Sequence, residues 1–204
     1  MITSKRLFLM SAVSVADLLT ANFLQFGTPL AKGLIIPVYG DVASTTLSFY
    51  FRNDEQYQQN GYSTLLDARA ALQGCLLSTF DSGPISGASN RFFTNGIDVS
   101  GYNVNVIIAN SAQTSWVRFD IRFENIARQD GFLYFFMNND GSNNFQRWKI
   151  ADLRVYDYAL SQSQMSAPTL PPDYVTRYNF FGYQPGDRTL TDISGNGNHA
   201  VVYY

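Results

Sequence analysis

Two kinds of side chain in this 204-residue sequence could do chemistry: its scattered acids, and the tyrosines and amides of its turn-rich stretches. Glycoside hydrolysis needs two carboxyl groups roughly 5 to 9 Å apart, flanking the scissile bond. The chain has only two glutamates, Glu55 and Glu124, in unrelated segments. Asp120 and Glu124 fall on one side of an expected strand, but their spacing along it separates them by about 13 Å. His199 is the single histidine, so neither a histidine-based metal site nor a nucleophilic triad can be assembled around it. In G-N-G-N-H-A-V-V it is expected to pack at the head of a strand. The single cysteine, Cys75, lies in the apolar run L-Q-G-C-L-L-S-T-F and reads as a buried, inert thiol. One cysteine leaves no internal disulfide, so stability must come from packing. The expectation is a protein that is not an enzyme.

Binding is the better-supplied alternative. Exposed aromatic rings stack on sugar faces, and amides bond sugar hydroxyls. Tyr57, Tyr62, Tyr102 and Tyr183 stand in polar, turn-rich contexts, as do Asn139, Asp140 and Asn143. Each of these could serve a glycan or a partner subunit equally well. The tract N-N-D-G-S-N-N at 138–144 has the oxygen-rich composition of a calcium loop without EF-hand spacing. The tail segment D-I-S-G-N-G-N reads as an Asx-type turn, with Asp192 capping its own backbone and the glycines supplying positive φ.

Composition narrows the classes further. Charged residues make up 15% of the chain against a usual figure of about 25%. The surface must therefore be covered by Asn, Gln, Ser, Thr and Tyr, as sugar-binding surfaces and the contact faces of assemblies are. A net charge of −2 and scattered arginines leave no basic stripe, which argues against nucleic acid as a partner. A hydrophobic content of 46% with 15% aromatic residues indicates a folded, β-rich chain.

The elements that must position these residues are short strands. The stretch T-T-L-S-F-Y-F-R at 45–52 alternates Leu47, Phe49 and Phe51 against Thr46, Ser48 and Tyr50, a half-buried strand. A polar loop over 53–63 follows, then strands in S-T-L-L-D-A-R and G-C-L-L-S-T-F-D and a Gly/Ser-rich turn. In R-F-F-T-N-G, Asn95-Gly96 signals a type I′ hairpin turn. Strands are expected at 104–109, at 116–123, where Trp116, Arg118, Asp120 and Arg122 share one face, and at 131–137. From 149 to 158 a strand sets Ile150, Asp152, Arg154, Tyr156 and Tyr158 on one side and Ala151, Leu153, Val155 and Asp157 on the other. Ser161, with Gln164 three residues on, has capping-box spacing for a short helical turn. Turn signals every 8 to 15 residues and almost no helix predict an all-β, two-sheet antiparallel sandwich.

At the N-terminus, Lys5-Arg6 followed by L-F-L-M-S-A-V-S-V-A resembles a secretory signal with Ser14 and Ala16 near a cleavage site. Residues 1–20 are read instead as a structural arm, and their apolar run is too short to span a bilayer. Residues 21–167 form the sandwich. Residues 168–204 form a Pro-rich linker, P-T-L-P-P-D-Y, and a tail.

Several of these stretches resemble one family. I-A-D-L-R-V-Y-D-Y-A-L-S-Q-S-Q is similar to the closing strand of laminin-G-like, concanavalin A-like lectin/glucanase sandwiches, which reads I-D-D-V-R-I-Y-x-R-A-L-S-x-x-E-I. T-T-L-S-F-Y-F-R resembles that family's T-I-S-F-W-F-R strand, and R-F-F-T-N-G its Y-V-N-G hairpin. Y-N-F-F followed by D-I-S-G-N-G-N resembles the family's opening motif, here placed after the closing one. The resemblance implies a jelly roll whose tail completes either its own sandwich or a neighbouring copy's, with the Asp192-to-Tyr203 segment beside the 148–158 strand. It also implies a structural Ca²⁺ held by Asp192, Asn196 and Asn198, approached by Asp152. Glucanases of this fold carry E-x-D-x-x-E on one strand, which is absent here. The implied function is lectin-like binding or adhesion. Retention of Met1, the lack of disulfides and the low charge point to a phage virion surface component (capsid decoration, head fibre or tail fibre). Its expected partners are other virion proteins, further copies of itself or cell-surface glycans. The alternative is a secreted carbohydrate-binding module.

Overall fold

The structure, a computed structural model, describes residues 22–26, 30–39, 42–53, 64–68, 76–78, 90–100, 115–128, 130–137 and 148–204. In chain order its strands are β1 (Leu24–Gln25), β2 (Gly33–Val38), β3 (Val42–Asn53), β4 (Thr64–Asp67), β5 (Leu76–Ser78), β6 (Asn90–Thr94) and β7 (Ile97–Asp98). There follow β8 (Val117–Arg128), β9 (Gly131–Phe135) and β10 (Trp148–Tyr156), one short helix α1 (Gln162–Ser166), then β11 (Thr176–Tyr178), β12 (Thr189–Leu190) and β13 (Ala200–Tyr203). They form two antiparallel sheets. One runs β1-β10-β3-β8-β6-β7 with β11 also on β10; the other runs β12-β13-β2-β9-β4-β5. The expected arm at 1–20, the strand at 104–109 and Cys75 lie outside the described residues.

The sheets pack face to face because alternate residues of both are apolar. Leu47, Phe49 and Phe51 of β3, Phe119, Ile121 and Phe123 of β8, and Trp148, Ile150, Leu153 and Val155 of β10 meet Leu34 and Ile36 of β2 and Leu133 and Phe135 of β9 in one buried cluster. At its centre Phe51 stacks on Phe119, with centroids 4.8 Å apart, and meets Trp148 edge-on at 5.6 Å.

Asn95 and Gly96 close the β6–β7 hairpin with φ of 49° and 79°, the positive pair a type I′ turn requires. The capping box is also present: Gln164 N–H donates to Ser161 Oγ, and Ser161 N–H donates to Gln164 Oε1.

Strict alternation along β10 does not hold. Ala151 is opposite Tyr50 and Arg154 is opposite Ser48, so three steps on β10 match two on β3. The extra residue is a β-bulge, with Asp152 at φ 44°, a conformation that aspartate tolerates better than most residues. The bulge resets the pattern, so that Ile150, Leu153 and Val155 all enter the core while Asp152 and Arg154 lie together on the outer face.

The bulge also marks a change of neighbour. Before it, β1 pairs with β10 (Leu24 opposite Ile150); after it, β11 does (Leu153 opposite Tyr178). From the motif order, the Asp192-to-Tyr203 segment is expected beside β10. Instead β11 takes that edge, and β13 crosses to pair with β2 in the other sheet. Ala200 and Val202 are buried while Val201 and Tyr203 face outward, a pattern that suits a strand with one face on the core and the other toward solvent.

Residues 158–171 strap the outer face of the first sheet. Thr46 Oγ1 donates to Tyr158 O and accepts from Leu160 N–H, Arg122 donates to Leu160 O, and Arg118 donates to Ala167 O. Beneath the strap, Phe93, Tyr156, Leu160 and Met165 form a second small core.

Candidate functional site

The tail turn is built around Asp192. One carboxylate oxygen accepts from the N–H groups of Arg177 (3.0 Å) and Ser194 (2.9 Å); the other accepts from Ser194 Oγ (2.7 Å) and Asn198 N–H (3.1 Å). Burial works to raise this carboxyl's pKa, but those donors outweigh it and hold the pKa below the ordinary carboxylate range. Asn196 and Asn198 turn their amide N–H groups onto Val175 O, and Asn198 also donates to Thr176 Oγ1. Tyr178 OH donates to Asn198 O, and burial pushes the pKa of this hydroxyl up. His199 Nδ1 accepts from Asp192 N–H at the start of β13. The whole turn clasps β11 from one side.

This donor set does not fit the expected calcium ion. The Asp192 oxygens already accept four hydrogen bonds, and Asn196 and Asn198 present N–H groups rather than oxygens to their shared partner. Asp152 is held by two guanidinium groups, and among the described residues no three His, Cys, Asp or Glu side chains gather as a metal site would need. Tyr183 is half-buried with its hydroxyl bonded to that of Tyr204, so it braces the C-terminus. Tyr57, Tyr62, Tyr102, Asn139, Asp140 and Asn143 lie outside the described residues.

The best-formed site is one the sequence reading did not assemble. Ladder register sets Arg177, Arg154, Ser48 and Asp120 in one row across β11, β10, β3 and β8. The neighbouring row brings Tyr50 opposite Arg118. At the bulge, where β1 has ended and β11 begins, these rows open into a cavity of about 410 Å³. Arg118, Arg154, Arg177, Asp152 and Tyr50 form its floor side, Pro168, Thr169 and Leu170 of the strap one wall, and Asn22, Asn179 and Phe181 the rim.

The charges inside are partly paired. Asp120 is fully buried, accepts from Ser48 Oγ at 2.6 Å and pairs with Arg118 at 3.2 Å. Burial raises the Asp120 pKa, an effect that the Arg118 charge and the Ser48 bond reduce without cancelling. Asp152 accepts from Arg154 at 2.6 Å and from Arg177 Nε at 2.7 Å. Burial opposes the charge on both arginines, yet their contacts, Asp152 foremost, outweigh it and raise both pKa values. Both guanidinium groups also lie over the Tyr174 ring, at 5.7 and 5.4 Å from its centroid.

Neither Asp152, the acid that lines the cavity, nor Asp120, buried beside it, stands free to work as a general acid or base, since each is tied to a guanidinium group. Glu124, the other acid on that face of β8, pairs with Arg122 at 2.5 Å. The arrangement can bind and orient a polar ligand. No helix among the described residues is long and apolar enough to cross a membrane. No family model, curated protein or solved structure matches this chain.

Proposed function

We propose that the protein is a non-catalytic, lectin-like structural and adhesion module: a laminin-G-like, concanavalin A-like jelly roll that binds glycans or partner subunits at a virion surface. The observation that carries this reading is the arginine-lined cavity on the outer face of the first sheet, which sets charged and apolar groups side by side and whose one lining acid, Asp152, is locked between two guanidinium groups. The permuted motif order is in keeping with it, because the tail that resembles the family's opening supplies β11 to one sheet and β13 to the other. The low charge of the whole chain suits an assembly surface.

The test has two parts. Full-mass protein beginning at Met1 in purified particles supports the virion role; a secreted form lacking residues 1–16 supports the alternative, a secreted carbohydrate-binding module. A panel of oligosaccharides assayed for both binding and turnover should give binding without cleavage. Turnover that disappears in Asp120→Ala would refute the non-catalytic reading.

A further inference from the structure

Arg154 and Arg177 are direct ladder partners across β10 and β11. Like charges set opposite each other in a sheet are destabilising, so a pair retained there calls for a compensating group. Asp152 supplies one negative charge between them, and the Tyr174 ring lies against both. With Arg118 neutralised by Asp120, the cavity keeps two positive charges against one negative, an excess of a single positive charge. The Arg154 side chain also contacts the neighbouring Tyr156 hydroxyl, which donates its proton to Pro171 O.

We infer that this cavity is a subsite for the carboxylate of an acidic saccharide, a uronic acid residue, held between Arg154 and Arg177. This rests on the glycan-binding reading above and names the ligand class for it. A carboxylate matches the excess charge, whereas a phosphate monoester dianion exceeds it by one. The planar, forked guanidinium groups suit the two oxygens of a carboxylate. Around the charged floor, the Phe181 ring, 79% exposed at the rim, offers a flat apolar face for a sugar ring. Thr169 and Asn179 supply a hydroxyl and an amide for sugar hydroxyl groups. A volume of about 410 Å³ accommodates one or two sugar rings rather than a folded protein element.

The experiment is calorimetric titration of the unmodified full chain with a galacturonic acid trisaccharide, with the same trisaccharide as its methyl ester, and with a tri-glutamate peptide. The acid form should bind at least tenfold more tightly than the ester and than the peptide. Arg177→Gln should weaken acid binding about tenfold and ester binding much less, so that the preference for the acid over the ester shrinks. Phe181→Ala, at an exposed position that does not endanger folding, should weaken both sugars severalfold. Equal binding of acid and ester overturns the carboxylate assignment while leaving the glycan-binding function standing. Peptide binding as tight as that of the acid sugar overturns the saccharide assignment. No binding of either sugar overturns this inference, and the oligosaccharide panel then decides the glycan-binding function separately.

Discussion

Replacing Asp192 with alanine tests whether its carboxylate is a structural clasp. The side chain accepts three main-chain N–H groups and one hydroxyl, and it is 5% exposed. Ser194 can turn its hydroxyl and N–H to water in the variant, but the N–H groups of Arg177 and Asn198 are enclosed between the turn and β11. A buried donor left without an acceptor costs about 1 to 3 kcal/mol. Two such donors, with water entering the vacated space to satisfy part of the loss, give roughly 3 kcal/mol. For a chain of this size that is a fall in Tm of about 6 to 12 °C. The depressed pKa sets the pH dependence. A carboxylate whose folded pKa lies below its unfolded value contributes stability that is fully present above the unfolded pKa, near 4, and lost as pH falls through the folded pKa. The gap between wild type and Asp192→Ala should therefore be full at pH 7 and narrow as pH falls below about 4 towards the lower folded pKa. Circular dichroism melts at pH 7 and pH 3, with and without millimolar calcium, measure all of this. A fall in Tm of less than about 2 °C at pH 7 would refute the clasp. So would a calcium-dependent rise in wild-type Tm that Asp192→Ala abolishes, because it would put a cation where the N–H groups are.

Three further outcomes follow from the same contacts. Gly96→Ala places a β-carbon at φ 79° and 2.6 Å from the Ser166 main chain, so urea unfolding should show a loss of roughly 2 to 3 kcal/mol, with the hairpin pushed off the strap. Ending the chain at Ala167 removes β11, β12 and β13 and strips Tyr178, Phe180, Leu190 and Val202 from the core. At about 1.5 to 3 kcal/mol for each large side chain, that loss is comparable with a domain's whole net stability, and cooperative thermal unfolding should disappear. Asp152→Asn keeps a residue that tolerates positive φ but raises the excess charge of the cavity by one. Acid-sugar binding at low salt should tighten severalfold, while stability falls by about 1 to 3 kcal/mol as Arg154 and Arg177 face each other unbridged.

What could be read from the sequence is what depends on near neighbours. The alternation of Leu47, Phe49 and Phe51, the Asn95-Gly96 turn and the Ser161–Gln164 box are each set by residues within a few positions of one another, and each appears in the structure as expected. The Asx-type turn at Asp192 is legible for the same reason, and its hydrogen bonds displace the calcium reading that came by resemblance. The cavity is different in kind. Arg118, Arg154 and Arg177 are far apart in the chain, and they meet only because β8, β3, β10 and β11 take one particular register. The alternation of β8 already sets Arg118 and Asp120 on one face, and Asp152 and Arg154 were placed together on β10; those two polar faces were the available signal. Joining them required the edge partner of β10, which the motif order assigned to the wrong part of the tail. It also required the bulge, which period-2 patterning cannot reveal because an inserted residue leaves both flanking halves in alternation. With the bulge, Ile150, Leu153 and Val155 can all be buried while Asp152 turns outward to bridge Arg154 and Arg177. A strand with perfect alternation over 149–158 would bury Ile150 together with Asp152 and Arg154. The departure from regular β-structure therefore both completes the core and creates the charged cavity, and a one-residue deletion there should abolish the two together.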